Sequence, residues 1–169
     1  MALRRVAQGV TLDLKHFGIT FDRRVPLSVV EDLGNPTTVG LTSSVVRVHG
    51  GLRSVDTKIQ VRKGLSDEEL GAVLAHEGGH AWMHQSGIAL GDLTLDEGFC
   101  NWVAVSWLRY QGTKTHLLLA EQYMRNPDPV YGGGLRTVVE RAEEFGGRKL
   151  LRHVVQFGSL PEPRAKGSR

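Results

Sequence analysis

Two histidines four residues apart, with a glutamate directly after the first, stand at His76-Glu77-Gly78-Gly79-His80. On a helix, positions i and i+4 share a face and lie ~6 Å apart along the axis. Two neutral imidazoles so placed can bind one zinc ion at ~2.0–2.1 Å. Glu77 is offset from both ligands. Its carboxylate can therefore reach a water carried by the metal rather than the metal itself, which is the requirement for a general base. The same five-residue pattern arises by chance in unrelated chains, where it is a surface helix with two histidines and a glutamate.

A catalytic zinc takes three protein ligands and leaves one position open. His84 follows His80 by four residues, but His76 and His84 are ~12 Å apart along one helix axis. The three cannot meet at one ion, and His84 reads as a rim or solvent residue. Glu97 is the better third ligand, 97 − 80 = 17 residues beyond His80 on the first turn of the next helix. A loop through Gly87 and Gly91 lets that helix turn back across the first. The plain alternative is a helix cap, since Thr94-x-x-Glu97 also fits a capping box. Asp96, the nearest rival, points about 100° away. Asn101, one turn past Glu97, could hold a histidine's outer nitrogen or be an ordinary polar surface residue. Gly78 and Gly79 each cost a helix roughly 1 kcal/mol against alanine. The pair makes room either for close packing by another segment or for substrate above the metal.

The elements that must position these groups follow from local pattern. Residues 3–17 read as a short helix broken near Gly18, and Ile19 to Arg23 alternates like a half-buried strand. Val39 to Val48 reads as a second strand, and Val55, Thr57, Ile59 and Val61 alternate cleanly with polar residues in a third. Gly50-Gly51 joins the last two as a hairpin. Ser66-Asp67-Glu68-Glu69 is a capping-box start for the helix bearing His76. Thr94 opens the next helix; others run over 114–125, from Leu135 to Phe145, and from Leu150 to Val155. Trp82, Trp102 and Trp107 belong to the core. Strands first and helices after give an α+β domain: a small, mostly antiparallel sheet followed by a helical, zinc-binding half.

The chain has 169 residues, with 21 Lys and Arg against 18 Asp and Glu. At ~100–200 residues per domain this is one domain, over 1–160, with a frayed tail at 161–169. A net charge of +3 is too small to argue for nucleic acid. The single cysteine, Cys100, excludes an internal disulfide and any Cys-rich zinc module. No stretch approaches the ~18 apolar residues of a membrane span, and no apolar core of an export signal follows Arg4-Arg5. The expectation is a cytoplasmic monomer that meets a polypeptide substrate, with no nucleic acid and no membrane partner.

Several runs then resemble one family, the peptidase domain of the ubiquitin-activated, LIM-domain-containing zinc peptidases that restrict organ size in plants. They are Leu74 to Met83, Leu95 to Cys100, Pro129 to Arg136, and His153 with Phe157-Gly158-Ser159-Leu160-Pro161. Val25-Pro26-Leu27 and Gly40-Leu41 also fit, so the resemblance covers nearly the whole chain. It implies a gluzincin-type peptidase with one Zn2+ on His76, His80 and Glu97 and with Glu77 as base. Two departures stand out. Gly78 and Gly79 replace bulky apolar residues of the family's motif, and its LIM and ubiquitin-interacting modules are missing. The resemblance is thus to a minimal, stand-alone version, and ubiquitin dependence does not carry over. Tyr131 and His153, in matched segments, could donate to the oxyanion formed when water attacks a peptide carbonyl. A core aromatic and a half-buried histidine are the plainer readings. Arg136 could bind a substrate carboxylate or carbonyl. Two rivals remain: the bacterial anti-repressor class of HExxH peptidases that cleave DNA-bound regulators, and a silent zinc fold that only binds a partner.

Overall fold

The computed structural model describes residues 2–164. Helix α1, Ala2–Phe17, buries Val10 and Leu14 along one stripe. It ends where Gly18 turns left-handed at φ +95, with Gly18 N–H donating to Lys15 O and Ile19 N–H to Leu14 O. That is a Schellman stop, with Ile19 folded back onto the core. The strand expected at Ile19 to Arg23 is therefore absent. The Ile19 N–H is consumed by the helix end, and the backbone of Arg23 pairs with the Gln85 side chain rather than with a neighbouring strand.

Three strands form one sheet in the order β1-β3-β2: β1 Leu27–Val30, β2 Gly40–His49 and β3 Leu52–Arg62. The β2–β3 hairpin is antiparallel, and Gly50 and Gly51 both have positive φ, as a tight two-residue turn requires. Val55, Thr57, Ile59 and Val61 are the buried face of β3. The four-residue β1, too short to announce itself by alternation, pairs with β3 in parallel, Leu27 opposite Ile59. The sheet is thus mixed, its longer pairing antiparallel. The fold is α+β.

Helix α2, Asp67–Ser86, runs through the middle of the molecule. Its capping box is complete: Glu69 N–H donates to Ser66 Oγ, and Ser66 N–H to Glu69 Oε2. It packs on β3, α1 and α3 (Leu93–Gln111), and small residues set the spacing. A Cβ on Gly78 would meet Leu14 Cδ1 of α1 at 2.7 Å, and one on Gly79 would meet Cys100 Sγ of α3 at 3.1 Å. Both glycines of the motif therefore serve close packing, not space for substrate. Trp82 and Trp107 are buried and Trp102 partly so.

Helix α4, Lys114–Arg125, leads into a five-residue π-helical turn, Pro129–Gly133, that runs directly into α5, Gly134–Phe145; α6 is Gly147–Phe157. Of the tail assigned to 161–169, Pro161 is buried and the Arg164 guanidinium lies 4.9 Å over the Phe145 ring; residues 165–169 lie outside those described. No helix among the described residues is long and apolar enough to cross a membrane.

Candidate metal centre

His76 and His80 project from the same side of α2, and α3 crosses so that Glu97 meets them. His76 Nε2 and His80 Nε2 are 3.1 Å apart, and Glu97 Oε2 lies 3.3 Å from the first and 3.5 Å from the second. An ion bonding tetrahedrally at ~2.0–2.1 Å holds its ligands ~3.3 Å apart. The three observed separations bracket that value, so the group is compatible with one small divalent cation. The same His-His-Glu set is the group found among the described residues whose ligand atoms lie close enough together to hold a metal ion.

Where α3 meets α5, next to Glu97, the close approach rests on glycine. A Cβ on Gly98 would lie 2.3 Å from the Gly134 carbonyl carbon, and one on Gly134 would lie 2.1 Å from Thr94 O. The α3 helix starts earlier than Thr94. Asp92 is its N-cap, accepting from Leu95 N–H at 2.8 Å, which frees Glu97 from a capping role. Asp96 points elsewhere and accepts from Leu90 N–H.

Asn101 is only 5% exposed, and its amide reads both neighbours. Nδ2 donates to the Tyr131 carbonyl at 3.0 Å, which leaves Oδ1 to accept from His76 Nδ1–H at 2.9 Å. In the neutral ring this puts the proton of His76 on Nδ1 and leaves the Nε2 lone pair available to a metal ion, the tautomer a ligand needs. Removing such a support typically costs ~10–100-fold in metal affinity. Asn101→Ala is expected to weaken metal binding by that factor in a competition titration, with the α-helical signal unchanged. Affinity equal to the parent's would discard the positioning role.

Glu77, 6% exposed, is not one of the three clustered ligands and is held by β2. Thr42 Oγ1 donates to its Oε2 at 2.6 Å, and Gly40 leaves room for the other oxygen, since a Cβ there would sit 2.5 Å from Oε1. Sequence reasoning missed Thr42, and it met Gly40 only within a matched segment, without this role. Thr42 is one of several threonines and serines in a strand, and nothing local marks the one that faces a carboxylate 35 positions away. His84 lies outside the cluster, half-buried, with Nδ1 2.7 Å from Ser44 Oγ; burial and the neighbouring His80 hold its pKa down.

Burial alone would raise the Glu97 carboxyl, but its hydrogen bonds and charge attraction to His76 and His80 outweigh that and bring it down to about 2. Burial opposes the His76 imidazolium, yet Glu97, Glu77 and Asn101 together raise its pKa above the ordinary 6.5. Glu97 is therefore ionised across the neutral range, and protons compete with metal at the imidazoles. Metal must displace a proton from His76 below its raised pKa, so apparent affinity should climb with pH and level off above it. A chromophoric-chelator titration between about pH 5.5 and 8.5 checks this, and a flat profile would contradict it.

Tyr131 is 45% exposed in the π-helical turn, where Asp128 caps its N–H. The Glu97 charge, then partial burial, then Asp128 and Glu77, raise its phenol pKa, which places the ring within the field of the cluster. His153 packs its ring 4.6 Å from Phe157 within α6, and among the described residues no hydrogen bond joins it to the cluster. Arg136 Nη1 donates to the carbonyls of Met124 and Asn126, tying α5 to the end of α4.

Residues 47–120 match the family model described as DA1-like, Protein DA1. This stretch holds His76, Glu77, His80, Glu97 and Asn101. Among curated proteins, Protein DA1 of Arabidopsis thaliana is 28% identical over 133 aligned positions, which cover 62% of this chain and 25% of that protein. Protein DA1-related 2 of Arabidopsis thaliana is 25% identical over 139, covering 62% and 26%. The match thus spans about a quarter of the length of each relative. No solved structure matches the chain.

Proposed function

We propose that this chain, which over residues 47–120 is similar to the DA1-like family, is a zinc-dependent peptidase acting on polypeptides. The observation that carries the reading is a cluster of three ligand atoms beside a second, separately held carboxylate, Glu77. A site that only stabilises a fold has no need of that group. Bound to His76, His80 and Glu97, a zinc ion supplies Lewis-acid chemistry, polarising a carbonyl and lowering the pKa of water toward ~7.

The chain's own groups do the rest. With Oε2 held by Thr42, Glu77 takes a proton from the attacking water at Oε1 and returns it to the departing amine. The Tyr131 hydroxyl, kept protonated beside Glu97, donates to the carbonyl oxygen as it gains charge, a contribution of ~2.7–4 kcal/mol for a preorganised donor. Strand β2 lies at the sheet edge, and an extended polypeptide can pair with it main chain to main chain.

Purified protein incubated with reduced, unfolded casein is expected to yield fragments, to stop when a chelator removes the metal, and to recover with added Zn2+. Metal retained with no turnover on any unfolded protein would favour a fold that binds a partner without cutting it.

A further inference from the structure

Away from the metal centre, the C-terminal end of α1 and one side of α6 border an open groove of about 500 Å3 lined by His16, Phe17, Arg148, Leu151, Arg152 and Val155. Its lining includes three basic side chains and no acidic one. Among the described residues, no carboxylate lies within 4.0 Å of Arg148, Lys149 or Arg152. Arg148 and Arg152 stand at i and i+4 on one helix, where like charges repel. Arg148 and Lys149 also occupy the first turn of α6, which has no acidic residue and no side-chain cap. The helix dipole favours the opposite sign there. The contrast with α2 is plain, since that helix opens on Asp67-Glu68-Glu69. Val155, though apolar, is left 59% exposed beside these charges.

Each of these local costs is relieved by one kind of ligand. We propose that the groove binds an acidic segment of a partner protein, with an apolar side chain seated between Phe17 and Val155 and carboxylates on Arg148 and Arg152. Arginines match carboxylates in paired hydrogen bonds. A groove of this size admits a side chain of an extended peptide, and the vesicle measurement below tests a membrane surface in its place. The proposal stands apart from the metal centre and from the peptidase reading.

The probe is fluorescein-labelled Glu-Glu-Leu-Phe-Glu-Glu, followed by anisotropy with the full chain at low salt. Saturable binding is expected, at least about tenfold weaker for the peptide with glutamine in place of glutamate, and weaker by a similar factor for R148E/R152E. The variant R53E/K58E makes the same charge change on exposed positions of β3 and should bind as the parent does. Equal loss in that control would overturn the proposal in favour of general charge attraction. So would co-sedimentation with equimolar phosphatidylserine–phosphatidylcholine vesicles without peptide binding. A glutamate in the first turn of α6 suits the helix dipole, so the Tm of R148E/R152E should stay close to the parent's, which separates lost binding from unfolding. A Tm well below it would show that the arginines are satisfied within the fold and would overturn the proposal as well.

Discussion

Glu77→Gln should retain its metal and its fold and lose ~10²–10⁴-fold in turnover, the range a positioned general base contributes. The prediction is sharp because the substitution is nearly isosteric. A glutamine carbonyl can still accept from Thr42 Oγ1, which in the parent donates to Glu77 Oε2 at 2.6 Å, so the strand-to-helix contact survives. The proton acceptor does not. The three ligand atoms are on other residues, so metal content should stay at one equivalent. Cleavage of unfolded casein under single-turnover conditions, with metal analysis of the same sample, is the measurement. Equal cleavage by parent and variant would remove Glu77 from the chemistry and leave the metal cluster without its proposed partner.

Gly98→Ala should have the largest effect on stability, and through it on the metal centre. The added Cβ would lie 2.3 Å from Gly134 C and 2.5 Å from Gly134 O, both main-chain atoms that cannot rotate aside. The two helices must separate, at a cost of roughly 1–3 kcal/mol for overpacking. In a domain of this size that lowers Tm by roughly 2–12 °C. Glu97 is the adjacent residue, so metal affinity should fall with it. Gly9→Ala is the counterpart: it lies within α1 with nothing within 4 Å of its new Cβ. There alanine should raise stability by up to ~1 kcal/mol through helix propensity alone. Thermal melts of the two variants should move in opposite directions.

The difference between those two glycines illustrates what the sequence discloses. Local rules were readable: the Ser66 capping box, the alternation from Val55 to Val61 and the Gly50-Gly51 turn all reappear in place. So does the approach of Glu97 to the two histidines, because i, i+4 geometry uses up one helix face and the third donor must come from elsewhere. What stayed hidden depends on contacts between distant segments. Thr42 is set by the height of β2 against α2, and Gly98 by the depth of the α3–α5 crossing. Ile19 to Arg23 misled because a Schellman stop places an apolar residue inward just as a strand would. Thr94 misled because Asp92, two residues earlier, offers an equally good cap.

The amide at position 101 faces two ways, accepting a hydrogen bond from an imidazole and donating one to the Tyr131 carbonyl. A carboxylate could do only the first. With aspartate there, two oxygens would confront each other across the 3.0 Å now spanned by N–H···O, and the turn from Pro129 to Gly133 would be pushed off its anchor. Cousins of this chain that carry aspartate at the matching place should therefore have reshaped that turn. The two positions ought to vary together or not at all.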